Sequence, residues 1–225
     1  MKKSFLFAAL AILVTICTLT AGNLKLKNEY SSGHIHSPFT TTNLPAFSYV
    51  KETLSTAGPT YKSFHIYVKP GQASSVSIYF DRPDVYRYHV INDTLFIDND
   101  AAQERDYDNL PIYLTCSELK KIIVATGSFS IRESAADSLS IIATSGSRVD
   151  IVGDHLKNIF VEASGKSAIS FSGIDTVLHA SLSFKDSSNL HISDVVIKEK
   201  SLHMDKLTSL LLSGRSVENF GVKKN

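Results

Sequence analysis

From residue 129 onward, pairs of apolar residues two positions apart return at about every tenth residue: Phe129/Ile131, Leu139/Ile141, Val149/Ile151, Ile159/Val161, Ile169/Phe171, Ala180/Leu182, Leu190/Ile192, Leu202/Met204 and Leu210/Leu212. Gly, Ser, Asp or Asn stand between neighbouring pairs. Alternate side chains of a strand point to one side, so each pair is the inward face of a short strand. Two strands with their turns make a coil of roughly 20 residues, which buries its apolar face only by stacking on the next coil. The pattern therefore predicts an all-β chain whose main body is a parallel β-helix with about 20 residues per rung. Before Cys116 the alternation is strand-like but less regular, with Phe64-Ile66-Val68, Val76-Ile78-Phe80, Tyr86-Tyr88-Val90, Leu95-Ile97 and Ile112-Leu114 as its apolar positions.

The bulk chemistry excludes more than it selects. With 43% hydrophobic and 20% charged residues, the chain is too apolar for disorder. Its formal net charge is +1, and loss of Lys2 and Lys3 would take it to −1. A near-neutral balance gives no electrostatic basis for nucleic-acid binding. No Ser/His/Asp spacing, phosphate-cradling Gly loop or zinc motif is present.

Four segments follow. Residues 1–21 read as a signal peptide: Lys2 and Lys3 precede an apolar run that ends at Leu19-Thr20-Ala21-Gly22, with cleavage expected after Ala21. Two alternatives compete, an uncleaved membrane-anchoring helix and lipid modification at Cys17. Residues 22–43 are polar and turn-rich and read as a linker. Residues 44–216 read as the β-helix domain and 217–225 as a C-terminal tail that blunts one end. Asp98 to Asp108 reads as an exposed acidic loop. Once the leader is removed, Cys116 has no disulfide partner, and its apolar run makes it a buried, inert thiol.

The Leu44-Pro45-Ala46-Phe47 opening, the Asp93-Thr94-Leu95-Phe96-Ile97 segment and the repeats Ser145-Gly146-Ser147-Arg148-Val149-Asp150-Ile151 and Ala163-Ser164-Gly165-Lys166-Ser167-Ala168-Ile169 carry a resemblance. Over roughly Leu44 to Ser213 the chain resembles the head GIN domain family of autotransporter-adhesin-type envelope proteins from Bacteroidetes-type bacteria. That resemblance implies a right-handed parallel β-helix, export to the cell envelope and an adhesin-like role. The chain departs from the family pattern between Asp186 and Lys200, where glycines are missing and the beat lengthens.

Candidate chemistry is sparse. His34 and His36 could supply two metal ligands, but a site needs more and none is near, so a solvated linker is the simpler reading. Asp98, Asp100, Glu104, Asp106 and Asp108 lack the Gly and closing Glu of a calcium loop and read as a hydrated loop. Arg148, Asp150, Asp154, His155 and Glu162 form the richest polar cluster of the repeats. An enzyme acting on a polysaccharide, a lyase or hydrolase, would need two of those carboxylates facing one another. Tyr67 and Tyr79 fall on the polar side of their strands and could stack on sugar rings. The triplets Asp93-Thr94-Leu95, Asp137-Ser138-Leu139 and Asp175-Thr176-Val177 look like O-glycan acceptor sites of such secreted proteins.

These readings converge on an exported, non-catalytic envelope protein that is adhesin-like or structural. It is expected to use no cofactor or metal. A surface glycan or envelope protein is the expected partner, through Tyr67 and Tyr79, with self-association through the β-helix ends as a further possibility and no nucleic acid.

Overall fold

The computed structural model describes residues 2–31, 38–53, 65–79, 86–99, 111–132, 136–153 and 155–221. It divides into two units, Met1–Pro38 and Phe39–Asn225. The first holds helix α1 (Lys2–Ser31). Its Ala- and Leu-rich sequence has no proline and favours a helix. Thr15, Thr18 and Thr20 turn their hydroxyls back onto carbonyls in the preceding turn rather than breaking it. Thus residues 22–31, expected as linker, are helical. No helix among the described residues is long and apolar enough to cross a membrane.

The second unit consists of strands β1 (Phe39–Asn43), β2 (Tyr49–Thr53), β3 (His65–Pro70), β4 (Ser75–Tyr79), β5 (Tyr86–Ile91), β6 (Thr94–Asn99), β7 (Pro111–Cys116), β8 (Lys121–Val124), β9 (Ser128–Arg132), β10 (Ser138–Ala143), β11 (Arg148–Val152), β12 (Asn158–Ala163), β13 (Ala168–Ser172), β14 (Thr176–Phe184), β15 (Asn189–Ser193), β16 (Val196–Met204) and β17 (Ser209–Ser213), then the short helix α2 (Arg215–Asn219). They form a nine-stranded sheet, β1-β4-β7-β3-β9-β11-β13-β15-β17, and an eight-stranded sheet, β16-β14-β12-β10-β8-β2-β6-β5. From β8 onward the chain alternates between the sheets and every neighbouring pair is parallel, so the chain is the expected β-solenoid.

The register stacks the apolar pairs. Ile112, Ile66, Phe129, Val149, Ile169 and Leu190 form one interior column of the nine-stranded sheet, all at most 1% exposed. Leu95, Val50, Ile122, Ile141, Val161 and Leu182 form its counterpart in the other sheet. Burying one such side chain contributes about 1.5–3 kcal/mol, so these columns are the principal stabilising element of the solenoid.

Corners close the coils with left-handed backbone. Ser145/Gly146, Gly165/Lys166 and Asp186/Ser187 hold one corner, and Gly153, Gly173, Asp194 and Gly214 the other. Between 186 and 200, Asp and Ser take the place of the missing glycines, because Asp tolerates positive φ better than most side chains. Gly165 is required for a second reason: a Cβ there would lie 2.9 Å from the Ser145 amide nitrogen. Between 186 and 200 the coil keeps its length, with Lys200 opposite Ala180, so the beat stretches there only because a lysine holds an apolar register position. The one extra residue lies earlier, between Gly173 and His179 relative to Gly153 and Asn158, and sets Asn158 opposite His179. Beyond it β15 and β16 run in unbroken register on β13 and β14.

The first half is threaded out of order. β2 and β3 form a coil on which β8 and β9 stack directly, with Val50 opposite Ile122 and Ile66 opposite Phe129. The intervening chain passes beneath, placing β6 and β7 on the far side of β2 and β3. There β4 pairs antiparallel with β7 and β5 with β6, and β1 adds antiparallel to β4. Residues 39–43, expected as the end of the linker, are therefore a sheet strand.

At the other end, α2 belongs to the solenoid rather than to a tail starting at 217. The buried Ser216 hydroxyl accepts from the Val195 amide at 2.9 Å and donates to the Val195 carbonyl at 3.0 Å. Asn219 Oδ1 accepts from the Ile197 amide at 3.0 Å. These side chains supply the partners that a further coil would have given.

Candidate functional site

Inward positions are consumed by the core, so recognition falls to outward ones. Tyr113, Tyr67, Ser130, Asp150, Ser170, His191 and Leu211 occupy successive strands in one register and form the central outer column of the nine-stranded sheet. At its lower end is an aromatic platform. The Tyr67 and Tyr113 rings stack with centroids 5.3 Å apart and planes inclined by 21°. Phe39 meets Tyr113 edge-on at 5.0 Å. The Arg132 guanidinium lies 5.8 Å from the Tyr67 ring centre, a cation–π distance. Both tyrosines are half-buried.

Tyr67 thus stands in a cluster. Tyr79 is placed opposite Phe39 in the β1–β4 register, and its side chain lies outside the described residues. Tyr113 was not singled out in the sequence, although Ile112 and Leu114 on either side face inward and so turn it outward. Its meeting with Tyr67, 46 residues away in sequence, has no local signal. Phe39 was hidden by its polar strand, Phe-Thr-Thr-Thr-Asn.

Farther along the face is a shallow groove of about 230 Å³ lined by Arg148, Asp150, Ser170, Asn189, His191 and Leu211, among others. Arg148 Nε pairs with Asp150 Oδ2 at 2.9 Å. Glu162 projects from β12 on the opposite sheet, where it lines a separate hollow of about 350 Å³ with Lys185 and Ser183. Asp150 and Glu162 therefore do not face one another, as the polysaccharide-acting alternative needs. Asp154 lies outside the described residues.

The other candidates assemble no chemistry among the described residues. His34, His36 and the stretch 100–110 lie outside them. Among the described residues no group of three or more His, Cys, Asp or Glu could hold a metal. Cys116 is 2% exposed, and burial pushes its thiol up to about 11, so it carries no thiolate at neutral pH. Thr94, Ser138 and Thr176, the hydroxyls of the acceptor-like triplets, are the first residues of β6, β10 and β14. Asp137 pairs with Lys157 and Asp175 with Arg215, each at 2.9 Å.

Residues 60–205 match the family described as "Putative auto-transporter adhesin, head GIN domain". No curated protein matches the chain. Among solved structures, a "putative adhesin" from Parabacteroides merdae superposes with a TM-score of 0.52 at 10% identity, over 77% of this chain and 80% of that one. A "putative adhesin" from Bacteroides fragilis (TM-score 0.48, 11% identity, 77% and 95% covered) and a "putative lipid binding protein" from Parabacteroides distasonis (0.47, 15%, 78% and 94%) are more distant. At such identities the first of these likenesses speaks to the fold alone.

Proposed function

The chain belongs to the head GIN domain family, and from that membership we propose that it is an exported, non-catalytic envelope module that recognises surface glycans through the outer face of its nine-stranded sheet. The Lys2-Lys3 pair, the apolar run and the small residues at Ala21-Gly22 support export with removal of residues 1–21. The folded domain would then run from Phe39 through α2.

The observation that carries the reading is the Tyr67–Tyr113 stack. An aromatic pair held rigid on a β-scaffold offers an apolar patch with polar tips, against which a sugar ring packs at little entropic cost. Repetition along a solenoid lets weak contacts add up over an extended ligand. Stacking of copies through the ends has less support. Lys200 sits opposite Ala180, an interior position, and its ammonium lies over the Phe220 ring and on the Asn219 carbonyl. A charge at the end of the core discourages another coil from docking.

A glycan array with the full chain and its Tyr67→Ala/Tyr113→Ala variant tests the proposal. Discrete glycan signals that fall at least tenfold in the variant, with an unchanged far-ultraviolet spectrum, are expected. A blank array, or signals indifferent to both substitutions, overturns it.

A further inference from the structure

Resting on that reading of the face, we infer that its ligand is an acidic polysaccharide laid along the solenoid axis, with Arg132 anchoring a carboxylate beside the tyrosine platform. The strands of the nine-stranded sheet turn very few charges outward. Among the described side chains these are Lys69, Arg132, Arg148 and Asp150, and Asp150 is neutralised by Arg148 at 2.9 Å. The surplus is cationic, on a chain whose expected mature charge is −1. Many of the other outward positions carry hydroxyls or amides, including Ser130, Ser170, Ser172, Asn189 and Ser193, beside His191, Val152 and Leu211.

The cations also gather where the rings are. The register that sets Tyr67 opposite Ser130 and Val68 opposite Ile131 brings Lys69 beside Arg132, both exposed. Arg132 leans over Tyr67. A guanidinium steadied on a ring keeps its planar fork free for a carboxylate, which it grips through paired hydrogen bonds. One strand on, at a spacing of about 4.8 Å, the column continues through Ser130 to Asp150 and its partner Arg148. A chain of sugar rings crossing the strands would meet ring, cation and hydroxyl in turn. A peptide adding to a sheet would use an edge instead. Duplex DNA would demand a longer run of cations than three.

Titration of the full chain with polygalacturonate, with its fully methyl-esterified form and with duplex DNA tests the inference. Binding of the acid form is expected, about tenfold tighter than of the ester, as one lost charged hydrogen bond implies. Arg132→Gln should remove that preference and flatten the salt dependence. Tyr67→Ala should weaken both forms. No binding of the acid form, equal binding of acid and ester, an unaffected Arg132→Gln variant, or DNA bound as tightly as polygalacturonate overturns the acidic-ligand inference. Glycan-array signals that still depend on Tyr67 and Tyr113 would then leave the broader glycan reading in place.

Discussion

Glu52 Oε2 accepts the amide of Ala125 at 2.7 Å, across 73 residues of sequence. The same oxygen accepts from Thr126 and Gly127 at 2.9 Å each, while Oε1 takes the Thr126 hydroxyl at 2.8 Å. In each later coil the equivalent corner amide finds a carbonyl of the coil below: Thr144 on Val124, Ser164 on Ala143, Lys185 on Ala163 and Asp205 on Phe184. At the Ala125 corner the Glu52 carboxylate, near the end of β2, takes the place of that carbonyl. Glu52 is only 2% exposed, and its removal would leave three amides without their acceptor. Glu52→Ala should cost about 3 kcal/mol, read as a lower urea midpoint at unchanged slope. A midpoint equal to wild type would show that the corner does not depend on this residue.

At the other end of the same corner column, Asp205 Oδ2 accepts the Asp186 amide at 2.7 Å and Oδ1 that of Leu207 at 2.9 Å. The Asp186 amide leads in holding this carboxyl below its ordinary range; desolvation opposes it, and the Leu207 and Thr208 amides and His203 add to the lowering. A depressed folded-state pKa adds stability above the unfolded value, and that stability fades as pH falls through the folded one. The urea midpoints of wild type and Asp205→Asn should therefore differ at pH 7 and converge in the acid range below pH 4. A gap that is constant with pH contradicts this role.

Cys116 should not react with a thiol reagent in the native state. In a Cys17→Ser background, Ellman's reagent at pH 8 is expected to find no thiol until denaturant is added, and then one. Prompt native labelling would contradict the burial.

Ser216→Ala should expose the Val195 amide and Asn219→Ala the Ile197 amide. Each is expected to cost about 1–2 kcal/mol and to accelerate hydrogen exchange at Val195 and Ile197 more than at Ile169. Uniform acceleration would mean that α2 acts on the whole fold rather than as a local closure.

Two leucines of adjacent strands separate inside from outside. Leu190 is 1% exposed and Leu211 60%. Leu190→Ala should cost about 2–5 kcal/mol, whereas Leu211→Ala should stay within about 0.5 kcal/mol. Similar losses from both would break the assigned register.

The amino-acid order alone determined the winding of the second half. Alternation within a strand and a recurring corner are short-range properties, so the sequence alone puts Val149, Ile169 and Leu190 in one column. It also turned Tyr67 outward, because Ile66 and Val68 had to face in. Tertiary structure decided what no local period encodes. The coil of β6 and β7 slipped beneath that of β2 and β3, a polar segment became β1, and Glu52 closed a corner far along the chain. The same threading brought Tyr113 onto Tyr67 and separated Asp150 from Glu162 onto opposite sheets. Residues distant in sequence meet only when the whole set of backbone pairings is fixed, and that choice depends on burying all the strands at once rather than on any segment by itself.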